Sequence, residues 1–140
     1  MTKKVYQSKI GIELIIPVII VFGGILLITV NKKTTWIEIV ILLLVIFFII
    51  HLFVATYYII EGNKLTIKCG FIFTQTIDIL TIKKISETNN PLSSPATSLD
   101  RLEIAFGKYD SILISPKHKH EFISDITSIN SDIEVLYKKV

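Results

Sequence analysis

The sequence predicts an α+β protein in which a two-helix transmembrane hairpin precedes about six or seven antiparallel strands and a C-terminal helix. Two observations predict this class. The first part of the chain holds two long, almost uncharged apolar runs, whereas the remainder alternates apolar and polar residues and then changes to helical spacing. Of the 140 residues 51% are hydrophobic and the mean hydropathy is +0.61, which is high for a soluble protein.

The two apolar runs cover residues 12–30 and 37–55. A helix of about 19 residues is roughly 30 Å long at about 1.5 Å per residue, which is enough to cross the hydrocarbon core. The linker NKKTTW between the runs is too short to hold a domain. The pattern therefore predicts a tight membrane hairpin whose two ends lie on the same side of the bilayer.

Lysines flank the hairpin on both sides. Three lie in the N-terminal tail and two, Lys32 and Lys33, lie in the linker, a slight excess that predicts cytoplasmic N- and C-termini. We expect a multi-pass membrane protein with a cytoplasmic tail (1–11), a transmembrane hairpin (12–55) and a folded domain (56–140).

Three ionisable residues, Glu13, Glu38 and His51, lie inside the apolar runs. Each is within about a turn of a run's end, where headgroup water or a helix dipole accommodates it. We favour a structural role over a proton or ion pathway, because a transporter normally buries a partnered charge near the midplane.

Period-two alternation starts at Thr56. The segment TYYIIEGNKLTIKCG predicts a hairpin that turns at Glu61-Gly62-Asn63-Lys64, with Cys69 as a small buried hydrophobe. Further strands are predicted by residues that alternate with polar neighbours: Phe71, Phe73, Ile77, Ile79, Ile82, Ile85, Leu102, Ile104, Phe106, Ile112 and Ile114. Residues 88–98 are rich in Asn, Ser and Pro and predict a loop. We expect a fragment from about Tyr57 onwards to fold alone.

The C-terminal helix is predicted to start at Ser115-Pro116, with Ser as the N-cap and Pro at the first helical position. An apolar stripe of about five turns follows at spacings of four, three, four and three: Phe122, Ile126, Ile129, Ile133 and Leu136.

Four pieces of the sequence resemble a bacterial pleckstrin-homology-like (PH-like) family, the YyaB-like group. They are YYIIEGNKLTIKCGFI, IDILTIKKI, NNPLSSPATSLDRLEIAFG and SILISPKHKHEFI. The resemblance implies a PH-like β-barrel of antiparallel strands with a C-terminal helix, joined to a hairpin in the bacterial cell membrane. It implies no catalytic residues.

Ser98, Asp100 and Arg101 are the candidate binding residues, at the point where the Ser/Pro loop re-enters the sheet. Arg101 is the only arginine in the chain. We favour a structural role in which these side chains fix the loop through hydrogen bonds. The alternative is that they form a recognition surface, since the planar guanidinium suits carboxylate or phosphate.

No sequence motif points to a metal site, to nucleic-acid binding or to catalysis. His118, His120 and Glu121 have the residue types of metal ligands. However, His118 and His120 are two positions apart on a predicted helix and point to different faces, so we do not expect them to share one metal ion. Residues 56–140 carry nine Lys and one Arg against ten acidic residues, a balance that argues against nucleic acid as a partner. No nucleophile with an adjacent base is evident, so we expect neither an enzyme nor a cofactor.

We therefore predict a membrane-anchored interaction module for an unidentified protein, peptide or lipid. The alternative is an accessory or regulatory subunit of a larger membrane complex, including an immunity-type subunit. A small carrier is disfavoured, and a homo-oligomer is compatible with the sequence.

Overall fold

The computed structural model describes residues 2–31, 33, 35–92 and 96–139. Two parts of the sequence argument fall outside the described residues. They are Lys32, one of the two linker lysines, and residues 93–95 in the middle of the Ser/Pro loop.

The α+β class is confirmed, with two long apolar helices, antiparallel strands and a helix near the C-terminus. The elements are β1 (Lys3–Gln7), α1 (Ile12–Val30), α2 (Trp36–Val54), β2 (Thr56–Glu61), β3 (Lys64–Cys69), β4 (Phe73–Asp78), a 3₁₀ turn (Ile79–Thr81), β5 (Ile82–Thr88), β6 (Arg101–Phe106), β7 (Asp110–Ile114), α3 (Lys119–Ile129) and β8 (Glu134–Leu136). The β2–β3 hairpin has its predicted two-residue turn, in which Gly62 has a φ of 57°.

The strands form two four-stranded sheets, in the orders β1-β2-β3-β4 and β7-β6-β5-β8. The prediction of a closed β-barrel is wrong, because the two sheets are not joined to each other edge to edge. They pack around one shared hydrophobic core, a backbone bridge between Ser8 and Pro116 links them at one corner, and the 3₁₀ turn connects β4 to β5. The apolar face of α3 covers the core, with Phe122, Ile123 and Ile126 buried.

Strand β1 was missing from the sequence analysis, which treated residues 1–11 as a tail. It pairs with β2 in antiparallel register from Lys3↔Glu61 to Gln7↔Tyr57. Tyr6 is buried, meets Phe122 edge-on with ring centroids 5.3 Å apart, and donates a hydrogen bond to Asp125. The two-helix segment is therefore an insertion between two neighbouring strands of one sheet.

The predicted start of the C-terminal helix is wrong. α3 begins at Lys119 with His118 at the N-cap. Ser115 is fully buried and accepts a hydrogen bond at Oγ from the backbone N–H of Thr97, while Pro116 bridges to β1. Since the Ser115 hydroxyl is engaged in this way, it does not cap a helix.

The predicted end of the helix is also wrong. α3 stops at Ile129, because Asn130 adopts extended backbone and its side-chain amide donates to the carbonyls of Ile79 and Ile82, at 3.1 and 3.2 Å. Ile133 is buried beyond the helix, and Leu136 lies in β8, which runs parallel to β5.

Helices α1 and α2 are long and apolar enough to cross a membrane. No residue of either helix is buried within the chain. Between them lies an apolar groove of about 500 Å³, lined by residues such as Val18, Phe22, Leu43 and Ile46.

Candidate functional site

The three candidate residues lie together where the chain enters β6, beside the start of α1. We call this region the junction: residues 8–13, residues 97–101 and Ser115. It joins the two-helix insertion to the Ser/Pro loop that the sequence analysis selected.

Arg101 is 4% exposed, and each of its guanidinium nitrogens donates to backbone carbonyls of the loop. Nε reaches the carbonyl of Ser98 at 2.7 Å. Nη1 reaches those of Asn90 and Leu92 at 2.9 and 2.5 Å, and Nη2 reaches that of Ala96 at 3.4 Å. Burial lowers the pKa of the guanidinium. This geometry favours the structural interpretation for Arg101, in which one planar side chain gathers the loop carbonyls.

Ser98 is fully buried and contacts the first turn of α1. Its Oγ donates to Glu13 Oε1 at 2.8 Å, and the backbone N–H of Leu99 donates to the same oxygen at 2.8 Å. Gly11 donates its N–H to the carbonyl of Thr97 at 2.9 Å. A Cβ on Gly11 would lie 2.5 Å from Glu13 Oε1 and 2.8 Å from Ser98 Oγ, so a side chain there would displace the contact between Glu13 and Ser98. Glu13 therefore connects α1 to the loop.

Behind this contact lies a cluster of buried hydroxyl groups. Ser8 Oγ is 3.0 Å from both Ser115 Oγ and the Tyr58 hydroxyl, and it accepts from Thr97 Oγ1 at 2.8 Å. Burial raises the pKa of Tyr58, so its phenol stays protonated at neutral pH. The backbone adds a bond from the Lys9 N–H to the carbonyl of Ser115, at 2.6 Å. The cluster holds β1, the loop and the end of β7 together.

Asp100 belongs to a chain of partly buried charges. It pairs with Lys9 at 2.9 Å and with Lys119 at 2.6 Å, and Lys119 pairs with Glu87 at 2.9 Å. Burial alone would raise the pKa of Asp100, but the hydrogen bonds and charges of Lys119 and Lys9 outweigh it and hold that pKa below its usual value. The pKa of Glu87 is lowered by the hydrogen bond from Lys119 and by the backbone N–H of Lys138. The network connects the start of α3 to both the loop and β5.

The polar contacts of the junction hold separate segments of the chain together. Its hydroxyl groups bond to one another and to the Glu13 carboxylate at the start of α1. In the described part of the chain, no group of three or more His, Cys, Asp or Glu side chains is arranged for a metal ion. His120 stacks on Tyr137 instead, with ring centroids 6.0 Å apart.

Sequence reasoning located the loop residues but missed their partners. Ser8, Glu13 and Lys119 come from segments far away along the chain. Glu13 stood out as a charge at the start of an apolar run, but nothing in the sequence connected it to the loop, and no short-range pattern marks Ser8 or Lys119. The only available signal was the density of small hydroxyl residues in the loop.

A family model described as a bacterial PH domain matches residues 56–130. No curated protein matches the chain. The matched span begins at β2 and ends at Asn130, directly after α3, so it contains both sheets apart from β1 and β8. It covers more than half of the sequence, and the chain belongs to the bacterial PH domain family.

Proposed function

We propose that the protein is a membrane-anchored PH-like interaction module, without catalytic activity of its own, that binds a protein, peptide or lipid partner. PH-like domains generally act as non-catalytic interaction modules. The observation that carries the membrane setting is that α1 and α2 are apolar helices of 19 residues each with no residue buried, and their topology follows from the pairing of β1 with β2 across the insertion.

This pairing constrains the topology. β1 precedes α1 and β2 follows α2, so both ends of the insertion lie on the same side of any membrane. The two helices therefore cross together or not at all, which supports a multi-pass hairpin. A cleaved leader would remove β1 and with it Tyr6, a core residue.

The insertion is attached firmly at both ends. At α1, Glu13 accepts hydrogen bonds from Ser98 and from the Leu99 backbone. At α2, Thr56 Oγ1 donates to the carbonyl of Leu52 at 2.7 Å, and Gly70 donates its N–H to the carbonyl of Ala55 at 3.0 Å. A simple tether would need no such contacts. We infer that the insertion fixes the orientation of the module at the membrane surface.

Membrane extraction tests the anchor. Full-length protein should stay in the pellet after a carbonate wash, whereas a variant in which a short turn replaces the two helices should appear in the supernatant. Release of the full-length chain by carbonate would contradict the proposal.

Cysteine labelling tests the proposed cytoplasmic termini. In a Cys69→Ser background, which removes the only cysteine, one variant carries Lys33→Cys in the linker and another carries Tyr109→Cys in the β6–β7 turn. An impermeant maleimide added to intact cells should label position 33 and leave position 109 unlabelled. The reverse pattern would place the module outside the cytoplasm.

The recognition role of Ser98, Asp100 and Arg101 stays a prediction. Asp100 is the member that a partner reaches most easily, because its side chain is 38% exposed. If it contacts the partner, Asp100→Asn should reduce crosslinking of the full chain even under conditions in which the variant remains folded. A loss of crosslinking that only follows the loss of folded protein would assign Asp100 a structural role.

One observation favours the second candidate, an accessory subunit of a membrane complex. The helices bury no residue within the chain and flank the 500 Å³ apolar groove, which leaves their surfaces available to a neighbouring helix. Size measurement in mild detergent separates the candidates, because an obligate subunit should stay with a stoichiometric partner while a free module should elute without one.

A further inference from the structure

The turn between β3 and β4 is unusually apolar for a strand connection. We call residues 70–73 the β3–β4 tip. Its sequence is GFIF, and Phe71 and Ile72 are 77% and 61% exposed. Turns on a water-facing surface are normally built from polar residues and glycine. The β6–β7 turn, Gly107-Lys108-Tyr109-Asp110, follows that rule within the same module.

The β3–β4 tip packs against the side of α2. The ring of Phe71 is 5.4 Å from that of His51 and 6.3 Å from that of Phe48, measured between centroids. At about 1.5 Å per residue, Phe48 lies roughly 9 Å before the last residue of α2. The tip thus reaches the level of the last two turns of the apolar helix.

Glycine permits this close approach. Gly70 has a φ of 56°, and a Cβ there would lie 3.1 Å from Leu52 Cδ2 of the helix. The backbone of the tip is also fixed to the helix end by the bond from Gly70 to the carbonyl of Ala55. The position of the tip relative to α2 is therefore set by the fold.

The residues next to the β3–β4 tip suit a membrane interface. Lys68 pairs with Thr74 on one side and with Tyr57 on the other, in the strand row directly behind the tip. The Lys68 ammonium lies 6.0 Å from the Tyr57 ring centroid. An apolar tip followed by a tyrosine and a lysine is the order expected from hydrocarbon to headgroup, where tyrosine settles and lysine extends to water.

We infer that the β3–β4 tip is inserted into the lipid bilayer beside α2, as a third membrane contact of the protein. The inference rests on the proposed membrane anchoring. Lipid is the occupant because the exposed face of the tip is continuous with the apolar surface of α2, so the medium that surrounds the helix end also surrounds Phe71 and Ile72. The tip would fix the tilt of the first sheet relative to the membrane.

Fluorescence depth measurement tests the inference on the full chain in phosphatidylcholine and phosphatidylglycerol vesicles. In the Cys69→Ser background, an environment-sensitive dye is attached at Ile72→Cys. Leu44→Cys, in the middle of α2, reports the span, and Tyr109→Cys, 89% exposed in the β6–β7 turn at the opposite end of β6 from the junction, reports the aqueous side. A second tip label at Phe71→Cys repeats the measurement independently.

The dye at position 72 should show blue-shifted emission, loss of intensity with a spin-labelled lipid and little loss with iodide. The dye at position 109 should show the opposite. If positions 71 and 72 respond to iodide while position 44 responds to lipid, the tip is outside the bilayer and the inference fails, although the anchor stands. If position 44 also fails to respond to lipid, the anchor and the inference both fail.

Discussion

The insertion of α1 and α2 between β1 and β2 leads to a direct test of the fold. Ser8 donates its N–H to the carbonyl of Thr56 at 3.1 Å, next to the last pair of the ladder, Gln7↔Tyr57. An Asn-Gly turn between Ser8 and Thr56 should therefore replace residues 9–55 and produce an ordinary two-residue β-hairpin. We call this the excised variant. The matched control is a fragment that starts at Thr56 and lacks β1.

The contribution of β1 follows from its buried contacts. Burial of the Tyr6 ring is worth about 1.5–3 kcal/mol, and its edge-on contact with Phe122 adds about 0.5–1.5 kcal/mol. The hydrogen bonds of Tyr6 and Ser8 contribute about 1 kcal/mol each. The total is on the order of 5 kcal/mol before the ordering of the strand is deducted, comparable with the whole free energy of unfolding of a small domain.

We therefore expect the excised variant to fold and the fragment from Thr56 to be largely unfolded. This expectation replaces the sequence-based one that a fragment from Tyr57 folds alone. Amide hydrogen exchange and urea unfolding followed by circular dichroism measure both chains. A fragment that matches the stability of the excised variant would refute the assignment of β1 to the core.

Three further predictions use the same excised variant or the full chain. Arg101→Ala should lower the free energy of unfolding of the excised variant by about 3 kcal/mol, because four loop carbonyls lose a charged donor. Arg101→Lys should recover only part of that loss. An unchanged urea midpoint for Arg101→Ala would contradict the structural role of Arg101 in the loop. Because the pKa of Asp100 lies below its ordinary value of 3.8, the pairing with Lys119 stabilises the fold above that value and the benefit disappears as the pH falls through the lowered pKa. Lys119→Met should accordingly destabilise the module at pH 7 and make little difference near pH 2, and an equal loss at both pH values would show that packing explains the effect. Gly70→Ala should destabilise the full chain by about 1–2 kcal/mol because of its positive φ, whereas Gly23→Ala, with no atom within 4 Å of the added Cβ, should have no comparable effect in pulse proteolysis.

Local patterns predicted the local structure well. The apolar run 12–30 coincides with α1, and the second run differs from α2 by one residue at each end. The Gly62-Asn63 turn and the β6–β7 hairpin also follow the expected alternation, because strand pairs joined by short turns leave their signal within a few residues.

Long-range features were not visible in the sequence. β1 is a five-residue strand, KKVYQ, whose partner follows about fifty residues later, so no turn marks the pairing. Ile133 and Leu136 keep helical spacing, yet the hydrogen bonds of Asn130 to the 3₁₀ turn end the helix before them. Ser115-Pro116 has the composition of a helix start, but its hydroxyl is used by the buried cluster.

At the candidate site, too, the local part was predictable from the sequence and the long-range part was not. The sequence placed Ser98, Asp100 and Arg101 together because they are neighbours in the chain. It did not supply Glu13 or Lys119, whose contacts depend on how the insertion and α3 return to the loop. Contacts of this kind arise from topology, and a single sequence carries no local trace of them.

The two helices are attached to the module at two separate places. α1 is fixed through Glu13 to the loop that leads into β6, in the second sheet, while α2 is fixed through Gly70 and Thr56 to strands of the first sheet. Both sheets contribute buried residues to one hydrophobic core, and a backbone bridge between Ser8 and Pro116 links them at one corner. Each helix is therefore attached to a different sheet of the same core, so the orientation of the two-helix segment relative to the module is set at two points.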